Sequence, residues 1–259
     1  MFKAALTNRE KIKKNGRIKW VLKPLDKRRK IGYNIIDSRI KLNYSDVFSA
    51  KVGEIMTNFD RINSVIENGN GYLIVAKALE RGISKSAIND YLKKNNLEKA
   101  ARGIYVTEDT WLDDLYLIQL KNKEVIFSGE TALYLHELME REPIDTTVTV
   151  KRSYNAAHLR DFVKTHNFGD IQVHTVSGDL FDIGVCNVET HYGNTVRVYD
   201  MDRTICEIIK QKDKMDIQIF VYAVKEYFKS PYKNIPNLTK YAEALKVEEM
   251  VRTYAEVLL

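Results

Sequence analysis

The sequence predicts an α+β fold: a small helical module closed by a hairpin, then a mixed α/β domain that ends in several helices. Three observations predict it. Between residues 56 and 107, short amphipathic runs are punctuated by Asn-Gly and Gly and end in two strand-like runs around Gly103. Between 124 and 199, runs rich in Val, Ile and Thr alternate with helical runs. From 200 to 259 only helical spacing remains. At 259 residues, 44% apolar and 29% charged, the chain has room for one large or two modest domains.

The net charge of +6 is unevenly spread. Residues 1–55 hold 15 Lys and Arg against 5 Asp and Glu, residues 56–105 hold 8 against 5, and residues 106–259 hold 18 against 25. The basicity therefore belongs to one end, and charge alone does not mark the body as a nucleic-acid binder. Residues 1–55 show neither a sustained helical period nor turn-bounded alternation, and their like charges repel. They read as a disordered or weakly ordered extension. Four accounts stay open for them: a basic arm on phosphates, a membrane-surface patch, a solvated tail, or translation from upstream of the natural start. The run Gly53-Glu54-Ile55-Met56 can be encoded by GGN-GAR-ATH-ATG, which permits a GGAG element just before an ATG. Met56 is accordingly expected to be a natural initiator; the intact mass of the protein from its own locus decides, and a species starting at Met1 refutes it.

From Thr57 the pattern is regular. Phe59, Ile62, Val65 and Ile66 predict a helix that closes at Asn68-Gly69-Asn70-Gly71. A second helix is predicted over 73–81, with Ala76 and Leu79 inward, stopping at Gly82. Ser84 is a suitable N-cap for a third, whose apolar stripe is Ala87, Ile88, Tyr91 and Leu92. Leu97 to Val106 reads as two short strands about a tight turn. Three helices and a hairpin make a winged helix-turn-helix over 56–107.

Residues 108–259 form the second domain, with a mixed sheet over 124–199 and a helical end over 200–259. A linking helix is predicted from Thr110 to about Lys121, carrying Trp111, Leu115 and Ile118. Strands are predicted at 124–127, 146–150, 171–176, 183–189 and 195–199, with helices at 129–138 and 156–166. Four helices follow, over 201–212, 217–228, 236–245 and 248–258.

The outer face of the third helix presents Ser86, Asn89, Asp90 and Lys93, flanked by Lys85 and Lys94. Such a face suits a major groove, where Asn bonds bidentately to adenine and Lys reaches guanine or phosphate. Lys99 and Arg102 on the hairpin would approach the backbone or minor groove. Asp90 repels phosphate unless it accepts from a cytosine amino group, which argues against indiscriminate binding. One module with so few positive charges binds weakly, and two modules on paired half-sites are the expected remedy.

Three blocks carry a resemblance: GYLIVAKALERGISKSAINDYLKKNNLEKAARGIYV, FSGETALYLHELMEREP followed by TVTV, and VRVYDMDRTICEII. In this order they resemble the antitoxin of the abortive-infection E system (AbiEi), over most of residues 57–259. The resemblance implies a type IV toxin–antitoxin system of bacterial phage defence. Its winged helix is expected to repress its own operon at inverted repeats of double-stranded DNA. Its C-terminal domain is expected to neutralise a nucleotidyltransferase-like toxin without a stable complex. Carried over by position, the DNA-binding candidates are Lys85, Ser86, Asn89, Lys93, Lys94, Lys99 and Arg102. The chain is expected to be monomeric in solution and to bind DNA cooperatively. The 55-residue basic segment departs from the family pattern, which supports the internal start. The runner-up is a stand-alone winged-helix regulator, and behind it a nucleotidyltransferase or nuclease.

Residue patterns argue against an enzyme, and no cofactor or metal is expected. Ser128-Gly129-Glu130 resembles the small-residue turn of nucleotidyltransferases, but the strand after it, Thr146-Thr147-Val148-Thr149-Val150, lacks the Asp-x-Asp metal pair and leaves only Asp145. Asp179 and Asp182 are followed by no Glu-x-Lys and read as a turn. His136, His158, His166, His174 and His191 form no metal spacing. Arg203 to Glu207 opens a helix after Asp200 and Asp202, so capping and packing explain it better than a Cys206 nucleophile. Cys186 and Cys206 read as reduced core residues. Lys151-Arg152 with Arg160 either extends a DNA-binding face or is a solvated loop. No apolar run spans a bilayer and no secretory leader is evident, so a cytoplasmic location is expected.

Overall fold

The computed structural model describes residues 9–14, 17–22 and 57–258. It is a mixed α+β chain that divides into two compact units, Met1–Lys99 with Gly103–Thr110, and Ala100–Arg102 with Trp111–Leu259. Strand β1 (Arg9–Lys14) pairs antiparallel with β2 (Arg17–Leu22), Lys14 opposite Arg17. This corrects the expectation of no turn-bounded strands there. The density of Lys and Arg in both runs obscured the pattern. Met56 and the remainder of the basic segment, where the internal start was expected, lie outside the described residues.

Helix α1 (Asn58–Glu67) opens with a reciprocal cap: Thr57 Oγ1 accepts from the Asp60 N–H, and the Asp60 carboxylate accepts from the Thr57 N–H. It buries Ile62, Val65 and Ile66. The chain then reverses through Gly71, whose φ of +86° suits glycine; a Cβ there would lie 1.8 Å from Thr110 Oγ1. Leu73 and Ile74, expected at the start of a helix over 73–81, belong with Tyr72 to strand β3 (Tyr72–Ile74), and the following helix α2 is only Val75–Glu80. Ala78, not Ala76, is the buried residue, and Leu79 is half-buried. A short apolar run does not specify helix or strand; pairing with Ile104–Val106 decides it. Helix α3 (Lys85–Lys94) follows, then β4 (Glu98–Ala101) and β5 (Ile104–Val106), giving a three-stranded sheet in the order β3-β5-β4. Ile62, Leu73, Ala78, Ile83 and Ile88 form its core.

In the second unit, helix α4 begins at Asp114 and runs to Lys121, later than expected, and Trp111 and Leu112 are exposed ahead of it. The cause is Asp113. Its buried carboxylate accepts from the Tyr116 N–H at 3.0 Å, from Thr190 Oγ1 at 2.5 Å and from Asn194 Nδ2 at 2.8 Å, which sets the helix start against a distant turn. A five-stranded mixed sheet follows in the order β8-β7-β6-β10-β9. Its strands are β6 (Ile126–Phe127), β7 (Asp145–Lys151), β8 (Asp170–Val176), β9 (Val185–Glu189) and β10 (Thr195–Tyr199). The pairs β7/β8 and β6/β10 are parallel; β6/β7 and β9/β10 are antiparallel. Helices α5 (Gly129–Leu135), α6 (Ala157–His166) and the one-turn α7 (Gly178–Phe181) connect them. The helical end is α8 (Met201–Lys210), α9 (Ile217–Lys229), α10 (Ile235–Leu245) and α11 (Glu248–Leu258), with a core that includes Cys206, Phe220, Tyr227 and Leu238.

Sheet and helical end meet at Arg203, which has no solvent exposure. Its Nη1 donates to the Leu180 and Ile183 carbonyls at 2.6 and 2.7 Å, and its Nε and Nη2 donate to Glu207 Oε1 at 3.1 and 3.0 Å. The guanidinium carbon sits 4.0 Å from the Tyr199 ring centroid. Asp200 caps α8 by accepting from the Arg203 N–H at 2.8 Å and accepts from the Tyr241 hydroxyl at 2.9 Å. Replacing Arg203 with alanine should therefore cost about 3–5 kcal/mol, because Glu207 would stay buried without its partner; urea denaturation of the two proteins checks it.

His136 is also enclosed and bonds the Tyr199 carbonyl through Nε2 at 2.7 Å. Burial holds its pKa below the ordinary value, and burial with nearby Lys214 does the same to His174. The unfolded chain then binds protons more readily than the native one, so their contribution is present above pH ~6.5 and is lost as pH falls below it. Between pH 7 and pH 5.5 the stability of His136→Gln should therefore shift less toward unfolding than that of the unaltered chain, as denaturation at the two pH values measures.

Candidate nucleic-acid interface

The candidate interface is built on α3. Ser84 Oγ accepts from the Ala87 N–H at 3.2 Å and starts the helix immediately after the turn at Gly82. Ala87, Ile88 and Tyr91, spaced one and three apart, are buried, with Leu92 half-buried. Since a helix advances about 100° per residue, this stripe forces Ser86, Asn89, Asp90 and Lys93 to the opposite side. All four are exposed, as are Lys85 and Lys94. Ser86, Asn89 and Lys93, three and four apart, form one line along the helix.

The sequence-predicted residues differ in how they are engaged. Among the described residues no hydrogen bond or ion pair engages the side chains of Lys85, Asn89, Lys93 or Lys99, which are all exposed. The Ser86 hydroxyl lies 3.0 Å from that of Ser84 and so shares the cap. Lys94 is set apart: its ammonium stands 5.1 Å from the centroid of the Phe59 ring, which turns it toward α1. Lys99 and Arg102 are exposed on the β4–β5 hairpin, whose turn holds Gly103 at φ +78°.

Two residues on α1 that sequence reasoning passed over also touch this assembly. The Tyr91 hydroxyl donates to Asn63 Oδ1 at 2.5 Å, and Arg61 Nη2 donates to the Arg81 carbonyl at 2.5 Å. Each contact spans twenty or more residues, and no local pattern announces it.

The second unit gathers its candidates differently. Ser128 is buried and its hydroxyl accepts from Thr149 Oγ1 at 2.9 Å. A Cβ on Gly129 would lie 2.9 Å from Thr147 Cγ2, so threonines of β7 fill the space against the turn where phosphate would need room. Asp145 accepts from Gln172 Nε2 at 2.9 Å. Lys151 pairs with Asp182 at 3.4 Å and lies 5.0 Å from the Phe181 ring centroid, which separates it from the exposed Arg152 and Arg160. Burial pushes the Cys186 thiol up to about 11 and the Cys206 thiol up to about 12, so both stay protonated at neutral pH. The His166 ring bonds the Phe162 carbonyl, and the His191 ring lies tilted against Tyr134, centroids 4.8 Å apart. Among the described residues, no group of three or more His, Cys, Asp or Glu side chains is placed to hold a metal ion, and no helix is long and apolar enough to cross a membrane.

No protein-family model matches the chain, and comparison with curated proteins finds no match.

Proposed function

We propose that residues 57–107 are a winged helix-turn-helix and that the protein is a DNA-binding antitoxin that represses its own operon. One observation carries the reading: α3 buries Ala87, Ile88 and Tyr91, while Ser86, Asn89 and Lys93 line its exposed side. A rod with amide, hydroxyl and ammonium groups along one face suits the donors and acceptors of a major groove. The β4–β5 hairpin takes the part of the wing, with Lys99 and Arg102 as backbone or minor-groove contacts. Asp90 on the same face disfavours sequence-blind attraction to phosphate.

The partner in this reading is double-stranded DNA carrying inverted repeats before the protein's own gene, bound cooperatively by chains that are single in solution. The resemblance to AbiEi antitoxins gives the second unit its role, antagonism of a nucleotidyltransferase-like toxin without a stable complex, in phage defence in the bacterial cytoplasm. The role is non-catalytic, in keeping with the threonine-filled turn at Ser128-Gly129.

Binding to the upstream region, measured across salt concentrations, tests the DNA arm. Losing Lys93 or Arg102 should weaken binding at all sequences and reduce the salt slope by about one. Losing Asn89 should instead relax base preference by about 1–3 kcal/mol at one position while leaving that slope unchanged. Footprints that do not move with Asn89→Ala and Lys93→Ala would sink the assignment of α3 as the reader.

Co-expression with the neighbouring gene tests the antitoxin arm. Survival should require residues 110–259; growth unaffected by their deletion would leave only a stand-alone regulator.

A further inference from the structure

We propose that Arg61 is a positioning residue for α3: from α1 it fixes the α2–α3 turn and so sets the direction in which the reading face points. The proposal rests on the DNA-binding reading above. Helix α2 has only six residues, so the carbonyls of its last turn need partners from elsewhere. Gly82, at φ +74°, closes the helix: the Ile83 N–H bonds the Ala78 carbonyl at 3.1 Å and the Gly82 N–H bonds the Leu79 carbonyl at 2.8 Å. That leaves the Arg81 carbonyl at the point where the chain changes direction. Arg61 Nη2 donates to it at 2.5 Å, from a position twenty residues earlier in the sequence.

This contact lies at the surface, next to a buried residue. Ile83 is 2% exposed and anchors the inner side of the turn in the core. Ser84 caps α3 at the next residue, so the direction of α3 follows from the backbone of residues 81–84. The guanidinium closes the outer side; its Nη2 lies 3.6 Å from where a Cβ on Gly82 would sit. Further along α3, the bond between Tyr91 and Asn63 ties the helix to α1 at a second point. One polar tie in the turn ahead of α3 and one at Tyr91 within it restrain its tilt, which apolar packing alone leaves softer because dispersion contacts are not directional.

Arg61→Ala and Arg61→Lys in the full chain test this by hydrogen exchange, melting and DNA binding over a range of salt. Arg61→Ala should speed exchange at the amides of residues 82–86 while those of Ile62 and Val65 and the melting temperature stay nearly unchanged. Affinity for the upstream DNA should fall roughly tenfold with the salt slope preserved, and Arg61→Lys should recover part of it. A slope shallower by about one would make Arg61 a phosphate contact instead and overturn the proposal. So would unchanged exchange at the turn, or a lower melting temperature with undiminished affinity of the folded protein. If the unaltered chain does not bind its upstream DNA, the functional reading falls by itself, and exchange at the turn still decides whether Arg61 holds it.

Discussion

Arg203 carries a full positive charge out of water, and its neighbourhood is arranged to hold that charge. Glu207 lies one helical turn away, two carbonyls from the α7 loop accept from Nη1, and the Tyr199 ring covers its face. Gly184 carries no side chain there because a Cβ would lie 2.9 Å from Arg203 Cβ. Removing any one partner leaves a desolvated group behind, so the arrangement is cooperative. It joins the last strand of the sheet, the α7 loop and the first helix of the C-terminal bundle. Asp202 extends it by accepting from the Tyr227 hydroxyl and the Asn234 N–H, both at 2.8 Å, so α9 and the start of α10 are tied to the same turn of α8.

The smaller unit solves another problem. A short helix that displays hydrogen-bonding side chains gains little from its outer face, and its stability comes from the residues beneath. Ala87 lets α3 approach its neighbours closely, Ile88 fills the core, and Tyr91 combines an apolar ring with a hydroxyl that reaches α1. The Ser84 cap supplies the missing acceptor at the N-terminus. On the exposed line, Ser86 shares the cap with Ser84, while the side chains of Asn89 and Lys93 take no part in holding the helix.

Sequence reading succeeded where structure is local. Most strands and helices of 124–258 fall within a few residues of the expected bounds, because period-two and period-3.6 patterns there are long enough to be distinct. The seven DNA-binding candidates were predicted exposed and are exposed. It failed at short segments with strong distant partners. Tyr72–Ile74 became a strand through β5, and α4 starts at Asp114 because Asp113 answers to Thr190 and Asn194. Lys94 and Lys151 looked like members of basic clusters, yet each has an aromatic ring as its neighbour.

By itself the sequence determined which face of each regular element is apolar, where caps and glycines stop it, and that charge is concentrated at one end. These follow from side-chain chemistry and spacing within a few residues. Only the tertiary structure decided that Arg61 bonds the α2–α3 turn, that threonines occupy the space beside Gly129, and that Arg203 is buried with Glu207 and two carbonyls as its partners. Each depends on atoms brought together from separate elements, and no local spacing carries that information because the partners are chosen by packing.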